Sequence, residues 1–270
     1  VANDILFNRK ASFQFGLPGQ LGKYYSGLRL RFKIIKTSDS KPNKSNVQVY
    51  NLTKETRTLA EKKGQVFILS AGYENTEEVL FSGDVARIIT ELDGPDYVTT
   101  FEAGDGEKAF QTARLEKSFQ EGVDIKDVFT DLIGSLGKTI KDISSIKSSK
   151  IVNGISLSGL SRTHMDELTN RYGLEWSIQD GGVQVIEARK ATKESAILLS
   201  VDSGLIGVPK KKEDGSIDIV SLLQPQIRPG RIISLESKFI TGQFVCRKVT
   251  HTGDTHGQDW YSQIEAIAKT

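Results

Sequence analysis

Gly230-Arg231-Ile232-Ile233-Ser234-Leu235, and the segment that closes the same stretch, Asp259-Trp260-Tyr261-Ser262-Gln263-Ile264-Glu265-Ala266, decide the fold, because the chain has used both patterns before. The earlier copies are Gly64-Gln65-Val66-Phe67-Ile68-Leu69 and Asp96-Tyr97-Val98-Thr99-Thr100-Phe101-Glu102-Ala103. Between them, Gly242-Gln243-Phe244 falls where Gly83-Asp84-Val85 falls, and Val249-Thr250 where Ile89-Thr90 falls. Upstream, Ile217-Asp218-Ile219-Val220-Ser221-Leu222 stands to the later copy as Val47-Gln48-Val49-Tyr50-Asn51-Leu52 stands to the earlier one. Four blocks in one order with one apolar spacing predict two related units that differ in their loops.

The elements around these blocks are mostly strands. Leu28-Arg29-Leu30-Arg31-Phe32-Lys33-Ile34 alternates apolar and basic residues, as a strand with one buried face does. Its basic stripe reads first as a solvated face, and second as a surface for an acidic partner or passing DNA. Ile5, Phe7, Phe13 and Phe15 suit a strand pair over residues 5–15. Thr53 and Gly64 bracket a short helix, with Glu55 in its first turn. Strands are expected at 66–73, 79–92 and 97–102, the last two joined by the turn Asp93-Gly94-Pro95-Asp96. Strands with one short helix and no βαβ rhythm predict an antiparallel barrel or sandwich, and closure would protect its edges.

The pattern changes after Gly104. A strand at 113–119 precedes an amphipathic helix from Asp124 to Leu136, with Ile125, Val128, Phe129, Leu132 and Ile133 at spacings of three and four. A second helix runs from Thr163 to Tyr172 and stops at Gly173. Gln179-Asp180-Gly181-Gly182 joins two alternating runs and predicts a hairpin. The second unit resumes with strands at 196–201 and 217–222. Between them, Lys210-Lys211-Lys212 lies in a long exposed loop or open hairpin. The reading is mainly β with an α+β insert: a first β-barrel over 1–104, a small α+β domain over 105–192, and a second β-barrel over 193–270.

Composition sets limits on function. A net charge of +2 gives no global nucleic-acid footprint. One cysteine, Cys246, excludes an internal disulfide framework, and its strand position predicts a buried thiol. No apolar run approaches the ~20 residues that span a bilayer, and no secretory signal is visible, so stable membrane association is not expected. His251, Asp254, His256 and Asp259 lie close enough in sequence to suggest a catalytic zinc and a metal-dependent hydrolase. Gly253 and Gly257 among Asp and Thr fit a hairpin connection better, and the equivalent connection after Leu92 holds no histidine. No nucleophile elbow or phosphate cradle is present. Trp176 and Trp260 could form a sugar platform, but their alternating strands predict core or interface burial. The expectation is therefore no catalytic, cofactor or metal site.

Several of these blocks together resemble the baseplate hub proteins of tailed bacteriophages and of related contractile particles. They are Val47-Gln48-Val49-Tyr50-Asn51-Leu52-Thr53, Ala71-Gly72-Tyr73, Leu80-Phe81-Ser82-Gly83-Asp84, Tyr172 to Gly181, Ser203 to Pro209, and His251 to Trp260. Gly253-Asp254-Thr255-His256-Gly257 is the most specific of them. The resemblance implies two tail-tube-like barrels flanking a smaller domain. It implies a homotrimer whose six barrels join a sixfold tail tube to a threefold central spike around a DNA channel. Its partners would be tube protein, spike protein and other baseplate proteins, with DNA only in transit. It would be assembled in the host cytoplasm and carried in the virion. Outward apolar residues such as Tyr97 and Trp260 would bury at barrel–barrel contacts. The chain has no spare length for the lytic domain that some hubs carry, so a cell-wall-degrading role is not expected, and it shows no terminal needle-like repeat, so the spike is expected to be a separate protein. A carbohydrate-binding protein at the particle tip is the remaining alternative.

Overall fold

The structure is a computed structural model in which residues 6–269 are described. Ile5, placed above in an N-terminal strand pair, lies outside the described residues. The first unit contains β1 (Arg9–Gly16), β2 (Lys23–Ser26), β3 (Leu30–Thr37), β4 (Lys44–Tyr50), α1 (Lys54–Ala60), β5 (Val66–Tyr73), β6 (Glu78–Asp93) and β7 (Asp96–Gly104). The intervening segment contains α2 (Glu107–Thr112), β8 (Arg114–Phe119), α3 (Ile125–Ser135), β9 (Thr139–Asp142), β10 (Ile155–Leu160), α4 (Ser161–Tyr172), β11 (Leu174–Gln179) and β12 (Gly182–Glu187). The second unit contains β13 (Ile197–Leu199), β14 (Leu205–Lys211), β15 (Ile217–Leu222), β16 (Ile232–Glu236), β17 (Thr241–Asp254) and β18 (Trp260–Ala268).

The expected helix boundaries have local causes. Thr53 accepts the Thr56 N–H at the start of α1, and Asp124 accepts the Lys126 N–H at the start of α3. Gly173 ends α4 in the left-handed region at φ 66°. Asp180 (φ 54°) and Gly181 (φ 85°) turn the chain between β11 and β12, as a two-residue hairpin requires.

The duplication is visible in the pairing order. The run β4-β7-β6-β5 in the first unit matches β15-β18-β17-β16 in the second. In each, the long third strand carries a bulge against β7 or β18, at Ala86 between Val85 and Arg87 and at Arg247 between Cys246 and Lys248; β6 has a second, at Leu80 against β5. β7 (or β18) pairs with this strand on both sides of the Ala86 (or Arg247) bulge, whereas on the opposite edge β5 (or β16) pairs only before it. These registers correct the sequence alignment. The blocks starting at Gly64/Gly230 and Asp96/Asp259 are in register. Val47 corresponds to Ile219 and Gly83 to Phe244, a slip of two residues that leaves the buried face unchanged. Ile89 corresponds to Thr250, a slip of one.

Three apolar clusters form. Phe13, Phe15, Phe67 and Phe101 pack together within the first unit, with the Phe67 and Phe101 rings tilted to each other and their centroids 4.8 Å apart. The apolar stripe of α3 packs with Met165, Trp176 and Ile178 in the intervening segment. Ile219, Ile233, Leu235 and Cys246 lie in the second unit. The large sheet is antiparallel as expected apart from the short β13 beside β16, and the separate three-stranded sheet of the intervening segment sets β9 parallel to β12. One expectation needs correction. Trp260 is not on an outward face. It is 2% exposed, belongs to the first unit's core, and meets Phe32 edge-on at 5.5 Å. Tyr97 is exposed, with the Arg57 guanidinium 4.1 Å from its ring centre.

Candidate functional site

The two units share one sheet because β17 pairs with β3, from Lys248 opposite Thr37 to Asp254 opposite Arg31. The eight strands β14-β15-β18-β17-β3-β4-β7-β6 are therefore continuous, and one face of them covers both cores. The opposite face is polar because the strands alternate: Phe32 and Ile34 point inward while Arg31 and Lys33 point outward.

The most specific run in the sequence is the clasp of this seam. A Cβ on Gly253 would lie 2.3 Å from the Phe32 ring, so any side chain there would displace that buried ring from the seam. Asp254 receives Arg29 Nη2 and Arg31 Nε, each at 3.2 Å. Burial works against its charge, but the His256 N–H and the Arg29 guanidinium hold its pKa below the usual carboxylate value. Thr255 donates its N–H to the Leu30 carbonyl at 2.9 Å and accepts the Leu30 N–H on its hydroxyl at 3.0 Å. Arg9 of β1 donates to the Gly257 and Gln258 carbonyls. The basic stripe is thus partly neutralised by a carboxylate more than two hundred residues downstream.

The proposed metal residues are separated by this arrangement. His251 is fully buried; its Nδ1 lies 2.8 Å from Ser262 Oγ and its Nε2 3.2 Å from the Ile227 carbonyl. Burial and then the nearby Lys36 ammonium push its pKa down to about 3, so the ring is neutral. His256 and Asp259 are exposed in the turn, and Asp254 is committed to the arginines. Among the described residues, no three His, Cys, Asp or Glu side chains are placed to share a metal ion. Cys246 is a buried thiol whose pKa is pushed up to about 12 by burial.

The polar face repeats its charges as the cores repeat their apolar residues. From the Ala86 bulge, one cross-strand row runs Arg87–Glu102–Asn46–Lys33. From the Arg247 bulge, the matching row runs Lys248–Glu265–Asp218–Lys210. Shallow depressions of about 390 and 430 Å³ lie on the two rows and share the equivalent residues Lys210/Lys33, Asp218/Asn46 and Glu265/Glu102. Lys212 adds ion pairs at 2.8 Å to both Asp218 and Glu265. Sequence reading missed this row because its members belong to four separate strands, although the matched Glu102 and Glu265 lie within an aligned block.

The intervening segment is fixed to this sheet by a polar junction. Lys36, 1% exposed, pairs with Asp180 at 2.6 Å. Asn43 donates to the Ile178 carbonyl and to Gln179 Oε1, and Gln179 donates to the Thr37 carbonyl. Asp105 accepts the Gly181 N–H; burial and then the Asp180 charge raise its pKa to about 6. On the second unit, Arg247 pairs with Glu175 at 2.6 Å.

The family model described as baseplate hub gp41 matches residues 13–266. No curated protein sequence matches the chain. Among solved structures, the 43 kDa tail protein of prophage MuSo2 from Shewanella oneidensis is similar at a TM-score of 0.68 and 10% identity, over 97% of this chain and 98% of that one. The tail protein from Neisseria meningitidis MC58 is similar at 0.68 and 9% identity, over 96% of both chains. The E. coli c3393 protein, described as a component of the type VI secretion system, reaches 0.64 at 10% identity, over 95% of this chain and 77% of that one. At these identities the solved structures establish the shared fold.

Proposed function

The chain belongs to the baseplate hub gp41 family, and from that premise we propose that three copies form a ring matching a sixfold tail tube to a threefold central spike. At the coarser level the protein is a structural component of a phage tail baseplate, and so of the virion. In the finer reading, residues 1–104 and 193–270 are the two tube-like domains and 105–192 is the domain that occurs once per chain. Six tube-like units then face a sixfold partner, and three single domains preserve threefold symmetry for the spike. Tube, spike and other baseplate proteins are the partners, assembly takes place in the host cytoplasm, and DNA passes through the ring. In this reading no side chain performs catalysis or holds a cofactor, and the His251 to Asp259 run serves the seam.

The observation that carries the proposal is the duplicated four-strand unit joined edge to edge by β17 and β3. Two such units in one chain already repeat the contact that a ring of like units needs. Light scattering on the chain coexpressed with its tube and spike proteins, followed by imaging of the isolated baseplate, tests the reading. Three copies with both units at equivalent radii are expected. Two copies, or units at unequal positions, would overturn it.

A further inference from the structure

Asn153-Gly154 is the one Asn-Gly pair in the sequence, and it lies in the loop that leads into β10. Both residues are exposed. Other asparagines have their amides tied: Asn43 donates to the Ile178 carbonyl, Asn51 to Asp96 and Asn8 to Glu74. The Gly154 N–H makes no backbone hydrogen bond among the described residues. Position 154 is also held close to β8, since a Cβ there would lie 2.9 Å from the Phe119 carbonyl oxygen. That approach favours glycine, and glycine leaves the nitrogen after Asn153 unshielded by any side chain. The packing that selects Gly154 therefore exposes Asn153 to attack by its own backbone.

We infer that Asn153 is a site of spontaneous modification, at which the side-chain amide is lost and the loop acquires an isoaspartyl linkage, with water as the only co-reactant. The Gly154 nitrogen gives up its proton to solvent and attacks the Asn153 Cγ. The N–Cγ bond forms, the Cγ–Nδ2 bond breaks, and Nδ2 takes up a proton and leaves as ammonia. Water then opens the cyclic imide. Attack at Cγ gives aspartate, and attack at the main-chain carbonyl gives isoaspartate.

The isoaspartyl product does not fit the loop. Ile151 donates to the Val123 carbonyl and accepts the Gly122 N–H, each at 2.9 Å. Ile155 lies opposite Phe119 in the β8–β10 pair. Between these fixed points stand only Val152, Asn153 and Gly154. Isoaspartate routes the chain through Cβ and Cγ, which adds one backbone bond of about 1.5 Å. The addition falls where Gly154 already meets Phe119, so the β8–β10 ladder gives at its Ile155 end. Phe119 and Ile151 belong to the core of the intervening segment, so the strain reaches buried residues.

Trypsin releases residues 151–162, in which Asn153 carries the only side-chain amide. The folded chain is kept at pH 7.5 and body temperature, sampled over weeks and digested. The peptide should gain the mass difference between an amide NH2 and a hydroxyl and separate into two products. The more abundant should accept a methyl group from S-adenosylmethionine through isoaspartyl methyltransferase. Asn153→Gln should show neither change. Amide exchange at Ile155 should be several-fold faster in the aged chain than in the fresh one. It should be unchanged in fresh Asn153→Asp, which gains the charge without the extra bond. A peptide that stays intact in the folded chain while the urea-unfolded chain converts would overturn the site. Conversion that leaves exchange at Ile155 unaltered would overturn the strain on β10.

Discussion

Asp105→Asn isolates the polar junction that fixes the intervening segment to the sheet. Asp105 is 1% exposed, and burial first, then the neighbouring Asp180, raises its carboxyl to about 6 from an ordinary 3.8. A raised folded pKa means that the folded state prefers the proton. Its contribution to stability is fully present below pH 3.8 and is lost as pH rises through about 6. The two values differ by roughly two pH units, on the order of 3 kcal/mol across that window. Asparagine keeps an oxygen to accept the Gly181 N–H and has no charge to bury. The stability difference between variant and wild type should therefore move in the variant's favour by up to about 3 kcal/mol between pH 4 and pH 7.5. Urea titrations at four pH values within this range, with amide exchange at Gly181 as the local readout, measure it. Using the difference cancels the other carboxylates to first order. A difference that stays flat across the range would refute the reasoning, because it would mean that Asp105 remains solvated or ionises at its ordinary pKa.

Three further outcomes are expected. Trp260→Ala should cost about 3–5 kcal/mol by calorimetry, the range for a large aromatic removed from a core, and a loss below about 1 kcal/mol would contradict its place beside Phe32. The His251 ring should show no NMR titration between pH 5 and 8, with its midpoint near 3, and a midpoint near the ordinary 6.5 would show that it is neither buried nor committed to Ser262 and Ile227. Duplex DNA should bind the isolated chain no more tightly than nonspecific partners do, at about 10⁻⁴–10⁻⁶ M, because the outer face alternates its charges; submicromolar binding in anisotropy titrations would overturn that.

What the sequence made legible was local or periodic. The alternation through Phe32 and Ile34, the caps at Thr53 and Asp124, and the Asp180-Gly181 turn each follow from neighbours a few residues apart. The duplication was legible as well, because apolar spacing survives when identities do not. Its register was less so. A slip of two residues preserves every inward side chain, so apolar pattern alone cannot distinguish Ile217 from Ile219 as the partner of Val47. Contacts between distant segments were the least legible. Nothing near β9 or β13 announces a parallel partner, and each has only a few residues. Lys36 has the inward parity of Phe32 and Ile34, but nothing near it in sequence announces Asp180, the partner it is buried against. Arg29 and Arg31 looked free because Asp254 lies on the far side of the chain. The residues from His251 to Asp259 show the opposite case: close in sequence, they are directed into a core, a seam and solvent. Trp260 showed the same limit, since its strand belongs to one unit and its side chain to the core of the other.

The β3–β17 seam has a kinetic consequence. Its two strands are tethered, so each meets the other at an effective concentration that does not fall when the protein is diluted. In a closed ring of three chains, half of the seams would form within single polypeptides and need no encounter between molecules. Only the remaining half would depend on how much hub the cell has made. In that ring, carrying two tube-like units on one polypeptide would lower the number of free bodies that must collide from six to three. Nucleation should then follow a lower power of protein concentration than for a tube ring built from separate subunits.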